Sequence, residues 1–209
     1  MANLHRTQVK AGRLFFLRTT LKQWVRIMKW DWGNDPPWIH NEQTQVGVLS
    51  SAIFLSGGQA LLEYSTEKRH RRKWTLGRGD IWFLINYKEY IGEAKTCSPS
   101  IGKRGYIRNY WGNLDNATRA IKCVPRISAV TASPPRRLGL LFISPSLSPD
   151  VTEIGEKLER WVAEIHRSFY GTATAMAWSF PKEYREFKDE GRYYPGSVLL
   201  IRPLRASYL

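Results

Sequence analysis

Residues 79–96, GDIWFLINYKEYIGEAKT, are typical of two apolar strands joined by a tight turn, yet they include Asp80, Glu93 and Lys95. If the turn lies at Asn86–Tyr87, counting outward along both strands places Asp80 opposite Glu93. Side chains that face each other on antiparallel strands have Cβ atoms about 4.5–5.5 Å apart, and like charges placed there repel. We therefore expect a positive charge between the two acids.

Two further features indicate a metal ion as that charge. Lys95 lies two residues beyond Glu93 and so on the same face of the strand, and the carbonyl of Ala94 is available as a ligand at the strand end. Two carboxylates and a carbonyl form the hard oxygen site that Mg²⁺ or Mn²⁺ prefers. Such an ion polarises a phosphoryl oxygen and lowers the pKa of bound water, and an ammonium group nearby orients that water.

The alternative is an ordinary exposed ion pair of Glu93 with Lys95 or Lys88, with Asp80 as a turn residue. An acid-x-Lys triplet arises by chance about once in a chain of this composition. A second copy is present at Glu186 and Lys188, in a polar segment that no apolar strand with an acid precedes. The context of the first copy favours the metal site.

Periodicity and turn signals predict the elements around this hairpin. We expect helices at 14–30, 41–56, 113–124 and 150–169, strands at 59–67, 136–147, 172–180 and 196–204, and an exposed basic loop at 68–73. In helix 41–56 the apolar stripe includes Phe54, and in helix 150–169 Asp150 is expected to be the N-cap, with Glu153 completing a capping box. The helix at 14–30 is expected to pack on the domain, with a membrane-surface or nucleic-acid arm as the alternative.

Composition limits the class of protein. The chain has 209 residues, 43% of them hydrophobic, and a net charge of +14, which favours a polyanionic partner. We expect one domain at 39–209 after a basic and aromatic helical extension at 1–38. Without a long apolar run or a cleavable leader, we expect a cytoplasmic (intracellular) protein without a membrane span. Two cysteines, Cys97 and Cys123, are too few for a CxxC-type zinc site or a disulfide framework.

The stretch GDIWFLINYKEYIGEAK resembles the D…ExK core of the PD-(D/E)XK nuclease superfamily, although Gly79 stands where many members have proline. The resemblance implies an α/β (α+β) fold with a restriction-endonuclease-like core, in which helices flank a central mixed β-sheet. The implied element order is α-β-β-β-α-β followed by a helix and strands, in a Holliday-junction-resolvase-like arrangement. It also implies catalytic roles for Asp80, Glu93 and Lys95, with Glu42 as an additional acid at the start of helix 41–56. Glu63 takes that place if 59–67 is helical.

These observations predict a Mg²⁺- or Mn²⁺-dependent phosphodiesterase, an endo- or exodeoxyribonuclease acting on DNA; a homodimer is compatible with this prediction. Expected nucleic-acid contacts are the basic residues Lys68, Arg69, Arg71, Arg72, Lys73, Lys103, Arg104 and Arg108. Tyr106, Tyr110 and Trp111 are candidates for stacking on bases, or else core residues. The alternative functions are a non-catalytic nucleic-acid-binding protein on the same fold, and an interaction module that uses the tryptophan-rich N-terminal segment.

Overall fold

The computed structural model describes residues 4–9, 14–70, 73–102, 106–124, 133–169 and 175–204. Within these residues the α-helices are α1 Arg18–Ile27, α2 Glu42–Phe54, α3 Tyr106–Lys122 and α4 Ile154–Phe169. The strands are β1 His5–Val9, β2 Gln59–His70, β3 Lys73–Ile85, β4 Lys88–Cys97, β5 Arg136–Ile143, β6 Ala175–Ser179, β7 Lys188–Asp189, β8 Arg192–Tyr193 and β9 Ser197–Pro203. Three short 3-10 helices occupy Phe15–Leu17, Pro37–Ile39 and Lys182–Tyr184.

Seven of these strands form one mixed sheet in the order β1-β6-β9-β5-β4-β3-β2. Strands β4 and β5 are parallel, and α3 lies between them in the chain, as a parallel crossover requires. The other neighbouring strands in this sheet are antiparallel. The predicted α/β class, with a mixed sheet flanked by helices, is therefore confirmed.

Helices cover both faces of the sheet. Apolar side chains of α1 and α2 share one core with alternate residues of β3, β4, β5 and β9. Side chains of α3 and α4 share a second core with the intervening residues of β5, β6 and β9. Because both faces are covered, β5 is buried and without polar side chains from Leu138 to Ile143, as predicted for a buried strand.

The N-terminal helix belongs to the first core. Leu21, Trp24 and Ile27 of α1 are buried there, and so is Trp38 of the following 3-10 helix. The prediction that this helix packs on the domain is confirmed. Residues on both sides of position 38 contribute to the same core, and the apolar face of α1 is occupied by contacts within the chain.

The β3–β4 hairpin has the predicted turn. Asn86 and Tyr87 have φ values of 50° and 58°, the left-handed backbone that a two-residue type I′ turn requires at both positions. Pairing runs from Ile85 with Lys88 to Ile81 with Gly92, which is the expected register. Asp80 and Glu93 are the next residues in that register, immediately beyond the last paired residues.

Helix α2 lies within the predicted range and begins with a cap. The side chain of Asn41 accepts a hydrogen bond from the backbone N–H of Thr44 at 3.1 Å, which satisfies one free donor of the first turn. Gly57, with a φ of 78°, follows the helix end as predicted. The expectation for Phe54 was wrong, because this side chain is 55% exposed.

Several expected elements differ in extent. The strand predicted at 136–147 ends at Ile143. The basic segment 68–73 is not a loop where the structure describes it, because β2 continues to His70 and β3 begins at Lys73. Helix α3 begins at Tyr106, earlier than expected. Helix α4 begins at Ile154, so Asp150 is not its N-cap; Glu153 has a φ of 56° and precedes the first turn.

Candidate metal and nucleic-acid site

The side chain of Asp80 connects β3 to β4 at the point where their backbone pairing ends. The backbone N–H of Ala94 donates to Oδ2 of Asp80 at 2.6 Å. This bond satisfies a strand donor that no longer has a backbone partner on β3. It also holds the Asp80 carboxylate beside Glu93, the residue that precedes Ala94.

Glu93 is the most buried acid of this group, with 5% of its side chain exposed. Burial, together with the negative charge of Asp80, raises the pKa of Glu93 from 4.5 to about 7. The ammonium of Lys68 contacts Oε1 of Glu93 and opposes this increase in pKa. A positive partner therefore favours the ionised form of this buried carboxylate.

Lys95 lies between Glu42 and the end of β4. Its ammonium is 3.5 Å from Oε2 of Glu42 and donates to the carbonyl of Ala94 at 2.5 Å. Burial raises the pKa of Glu42, and Asp80 adds to this effect while Lys95 lowers the pKa. The start of α2 thus brings Glu42 to the same group of charges as Asp80.

A cleft of about 320 Å³ opens beside these residues, lined by Glu42, Gln43, Val46, Leu62, Glu63 and Asp80. Glu63 differs from the other acids because Gln43 donates to its Oε1 and Arg78 donates to its Oε2 at 3.0 Å. The segment that carries Glu63 is a strand rather than a helix. Glu42, which pairs with Lys95, is accordingly the acid that contacts the predicted triad, and Glu63 lies on the cleft wall.

Sequence reasoning assigned Lys68 to an exposed loop and gave Tyr64, a residue of the predicted strand 59–67, no role in the site. Both lie on β2, and their side chains cross β3 at two glycines, Gly77 and Gly79. The Tyr64 hydroxyl is buried without a hydrogen-bond partner, and burial together with the nearby charges of Glu93 and Asp80 raises the pKa of Tyr64. The available signal was the pair of glycines two residues apart, directly before Asp80.

The oxygen atoms assigned to a metal by sequence are of the chemical type that a hard divalent cation prefers. The carboxylates of Asp80 and Glu93 are adjacent, and ammonium groups contact Oε1 of Glu93 and the carbonyl of Ala94. The buried Tyr64 hydroxyl is a further oxygen without a partner close to them. Among the described residues no group of three or more His, Cys, Asp and Glu side chains has a metal-binding arrangement. The predicted metal ligands include only two such side chains, Asp80 and Glu93, because the third ligand is the backbone carbonyl of Ala94.

The predicted nucleic-acid contacts that the structure describes lie on β2, β3 and α3. Lys73 is exposed at the start of β3, and Arg108 is exposed in the first turn of α3. Lys68 points inward to Glu93, and Arg69 is a residue of β2. The other predicted contacts, Arg71, Arg72, Lys103 and Arg104, lie outside the described residues.

Two of the aromatic candidates belong to the second core. Tyr110 is fully buried, and Trp111 stacks on Phe169 with ring centroids 4.2 Å apart. The guanidinium of Arg202 lies over the Trp111 ring at 5.6 Å. The interpretation of Tyr110 as a base-stacking residue was wrong, and Trp111 uses its ring for packing between α3 and α4.

Comparisons with family models, with curated proteins and with solved structures return no match for this chain. Along the ranges that the structure describes, no helix has the length and apolar character to cross a membrane.

Proposed function

We propose that the protein is a divalent-metal-dependent nuclease that hydrolyses phosphodiester bonds in DNA. The observation that carries the proposal is the proximity of Glu42, Asp80, Glu93 and Lys95, from one helix and two strands, beside a cleft that Glu42 and Asp80 line. A strongly basic chain, with a net charge of +14, supplies the attraction for a polyanionic substrate.

Each of these residues has a distinct role in the proposal. Asp80, Glu93 and the carbonyl of Ala94 would hold the ion. Mg²⁺ or Mn²⁺ at that position supplies Lewis-acid activation of a phosphoryl oxygen and of water. Lys95 orients the attacking water and stabilises charge that develops on the phosphate. Glu42 fixes the Lys95 ammonium through their ion pair and holds a proton more readily than an exposed glutamate, because its pKa is raised.

One observation favours a second candidate function, a nucleic-acid-binding protein without catalysis. Lys68 and Lys95 already contact the oxygens of Glu93 and Ala94, so the acids have positively charged partners within the chain itself. A protein that binds DNA through its basic surface needs no metal at this position. The two functions differ in whether divalent ions bind and whether the DNA backbone is cut.

The decisive experiment is incubation of the purified protein with plasmid, linear, single-stranded and branched DNA, and with RNA, in the presence of Mg²⁺ or Mn²⁺. We expect cleavage that a chelator stops and that Asp80→Ala or Lys95→Ala reduces by at least about 100-fold, the size of effect typical of removing one charge-stabilising group. Asp189→Ala, at an exposed position on β7, is the matched control and should cleave like the wild type. Full activity in the Asp80→Ala protein would reject the assignment.

A further inference from the structure

The strands β2 and β3 extend past β4 as a two-stranded ribbon. Their pairing continues from Tyr64 with Gly79 to His70 with Lys73, whereas β4 pairs with β3 only over Ile81–Ile85. Alternate residues of β2 share one face of this ribbon, and Tyr64 and Lys68 belong to the same face. That face is the one directed toward Glu93, because the Lys68 ammonium contacts it.

Two glycines let the side chains of Tyr64 and Lys68 cross the neighbouring strand. A Cβ atom at Gly79 would lie 2.4 Å from Cζ of Tyr64, so no other residue leaves room for the ring. A Cβ atom at Gly77 would lie 3.3 Å from Cδ and Cγ of Lys68, which is tighter than an ordinary contact. The Lys68 stem therefore lies along β3, with 27% of its side chain exposed, and its ammonium reaches a carboxylate that is almost fully buried.

We propose that Lys68 is the resident counter-ion of Glu93 in the metal-free protein, that a divalent ion displaces it, and that the displaced ammonium then contacts a phosphate of the bound nucleic acid. This inference rests on the proposed function, because it assigns the metal to Glu93. A carboxylate as buried as Glu93 is unstable without a positive partner, which gives Lys68 its role before the metal binds. The long side chain is anchored on a ribbon that β4 does not cover, so its ammonium reaches solvent by rotation about its own bonds.

The movement of the Lys68 ammonium from Glu93 to a phosphate couples the binding of the metal to the binding of the nucleic acid. A phosphate that binds the Lys68 ammonium removes the competitor of the metal, and a metal that occupies Glu93 frees the ammonium for the phosphate. Coupling of this kind is reciprocal, so each ligand tightens the binding of the other. The protein would bind metal weakly alone and more tightly on its substrate.

The first test measures Mn²⁺ binding to the full-length chain without nucleic acid, by electron paramagnetic resonance at pH 8.0. We expect Lys68→Met to lower the dissociation constant for Mn²⁺ about tenfold. In the wild type, Mn²⁺ must first break the charge-assisted hydrogen bond between Lys68 and Glu93. Lys68→Arg keeps the competing charge and should bind like the wild type. Lys88→Met, at an exposed position beside the hairpin turn, is the control for loss of a lysine. If Lys68→Met does not fold, Lys68→Gln is measured in its place.

A dissociation constant that is unchanged or higher in Lys68→Met than in the wild type would overturn the inference while leaving the proposed metal site intact. Absence of Mn²⁺ binding in every variant would overturn the inference and the proposed metal-dependent function together.

The second test measures binding of a duplex oligonucleotide as a function of salt, in a Lys95→Met background that suppresses cleavage. With Mn²⁺ present, Lys68→Met should reduce the slope of log K against log salt concentration by about 0.9, the loss of one phosphate contact. Without a divalent ion the slope should be unchanged, because Lys68 then pairs with Glu93. An equal reduction under both conditions would show that Lys68 is an ordinary phosphate contact and would refute the exchange.

Discussion

Glu93 links the stability of the protein to pH in an unusual direction for an acid. Most carboxylates in folded proteins have a lowered pKa and stabilise the fold at neutral pH, whereas burial and Asp80 raise the pKa of Glu93 from 4.5 to about 7. The folded state therefore binds a proton that the unfolded state has released. This contribution to stability is complete below pH 4.5 and is lost as the pH rises through about 7.

We expect the difference in free energy of unfolding between the wild type and Glu93→Gln to fall as the pH is raised from about 4.5 to about 7. Glutamine keeps the shape of the side chain and does not titrate, so the comparison removes the contributions of titratable groups that do not interact with Glu93. Chemical denaturation without divalent ions, at several pH values from 4 to 8, measures it. A difference that stays constant or increases with pH would contradict the raised pKa.

Gly79 is a residue whose lack of a side chain is needed by its neighbour Tyr64. The Tyr64 ring occupies the space where its Cβ atom would be. We expect Gly79→Ala to reduce the free energy of unfolding by about 1–3 kcal/mol, the usual cost of overpacking. Gly112→Ala is the matched control, because Gly112 lies in α3 with open space around its Cβ position. There alanine should stabilise the helix by up to about 1 kcal/mol.

A double-mutant cycle identifies the cause. If the Tyr64 ring is the atom group that clashes, Tyr64→Ala combined with Gly79→Ala costs less than the sum of the two single changes. Urea unfolding of the wild type, the two single variants and the double variant gives the free energy of unfolding of each protein. Strict additivity would mean that Gly79 is needed for a different reason.

At the scale of single elements, the sequence predicted best where local chemistry and burial agree. The β3–β4 hairpin has a two-residue turn between apolar strands, so counting from Asn86–Tyr87 was enough to place Asp80 beside Glu93. Helix α2 combines an Asn41 cap with a glycine after its end, and both signals are local.

The β2–β3 ribbon was not predictable in the same way. Its residues 68–73 are dominated by charge, and one face of the ribbon is exposed, so no apolar alternation marks the strands. A run of charged residues is usual in loops, which is why a loop was predicted here. A strand can nevertheless form, because backbone pairing with a neighbouring strand needs no apolar side chains. With 68–73 assigned to a loop, the direction of the Lys68 side chain had no basis in sequence, and its contact with Glu93 could not be inferred.

Helix α3 shows a related limit of prediction from the sequence. Tyr110, Leu114, Ala117 and Ile121 are fully buried at helical spacing. The basic residues around them suggested a binding surface, because sequence alone does not say which side of the segment is covered by another element. The contact of Trp111 with Phe169 joins residues distant in the chain, and no local pattern predicts it.

For the whole molecule, the net charge of +14 predicts strongly salt-dependent binding to nucleic acid. We expect Lys73→Ala and Arg108→Ala each to reduce the slope of log K against log salt concentration by about 0.9 for duplex DNA. Lys182→Ala is the control, because it removes the same charge from an exposed position. Lys182 follows β6, which lies near one edge of the sheet, whereas β2 is at the opposite edge. This change should leave the slope unchanged. Equal effects of all three changes would indicate attraction by total charge without a defined contact surface.

The position of β9 has a consequence for biosynthesis. Strands β5 and β6 belong to one sheet only because Ser197–Pro203 lies between them and pairs with both. Until those residues have left the ribosome, the edges of β5 and β6 that pair with β9 lack that partner. Such edges are where chaperones bind and where aggregation starts. Fast translation without chaperones should therefore lower the soluble yield of this protein, even though its finished sheet is continuous.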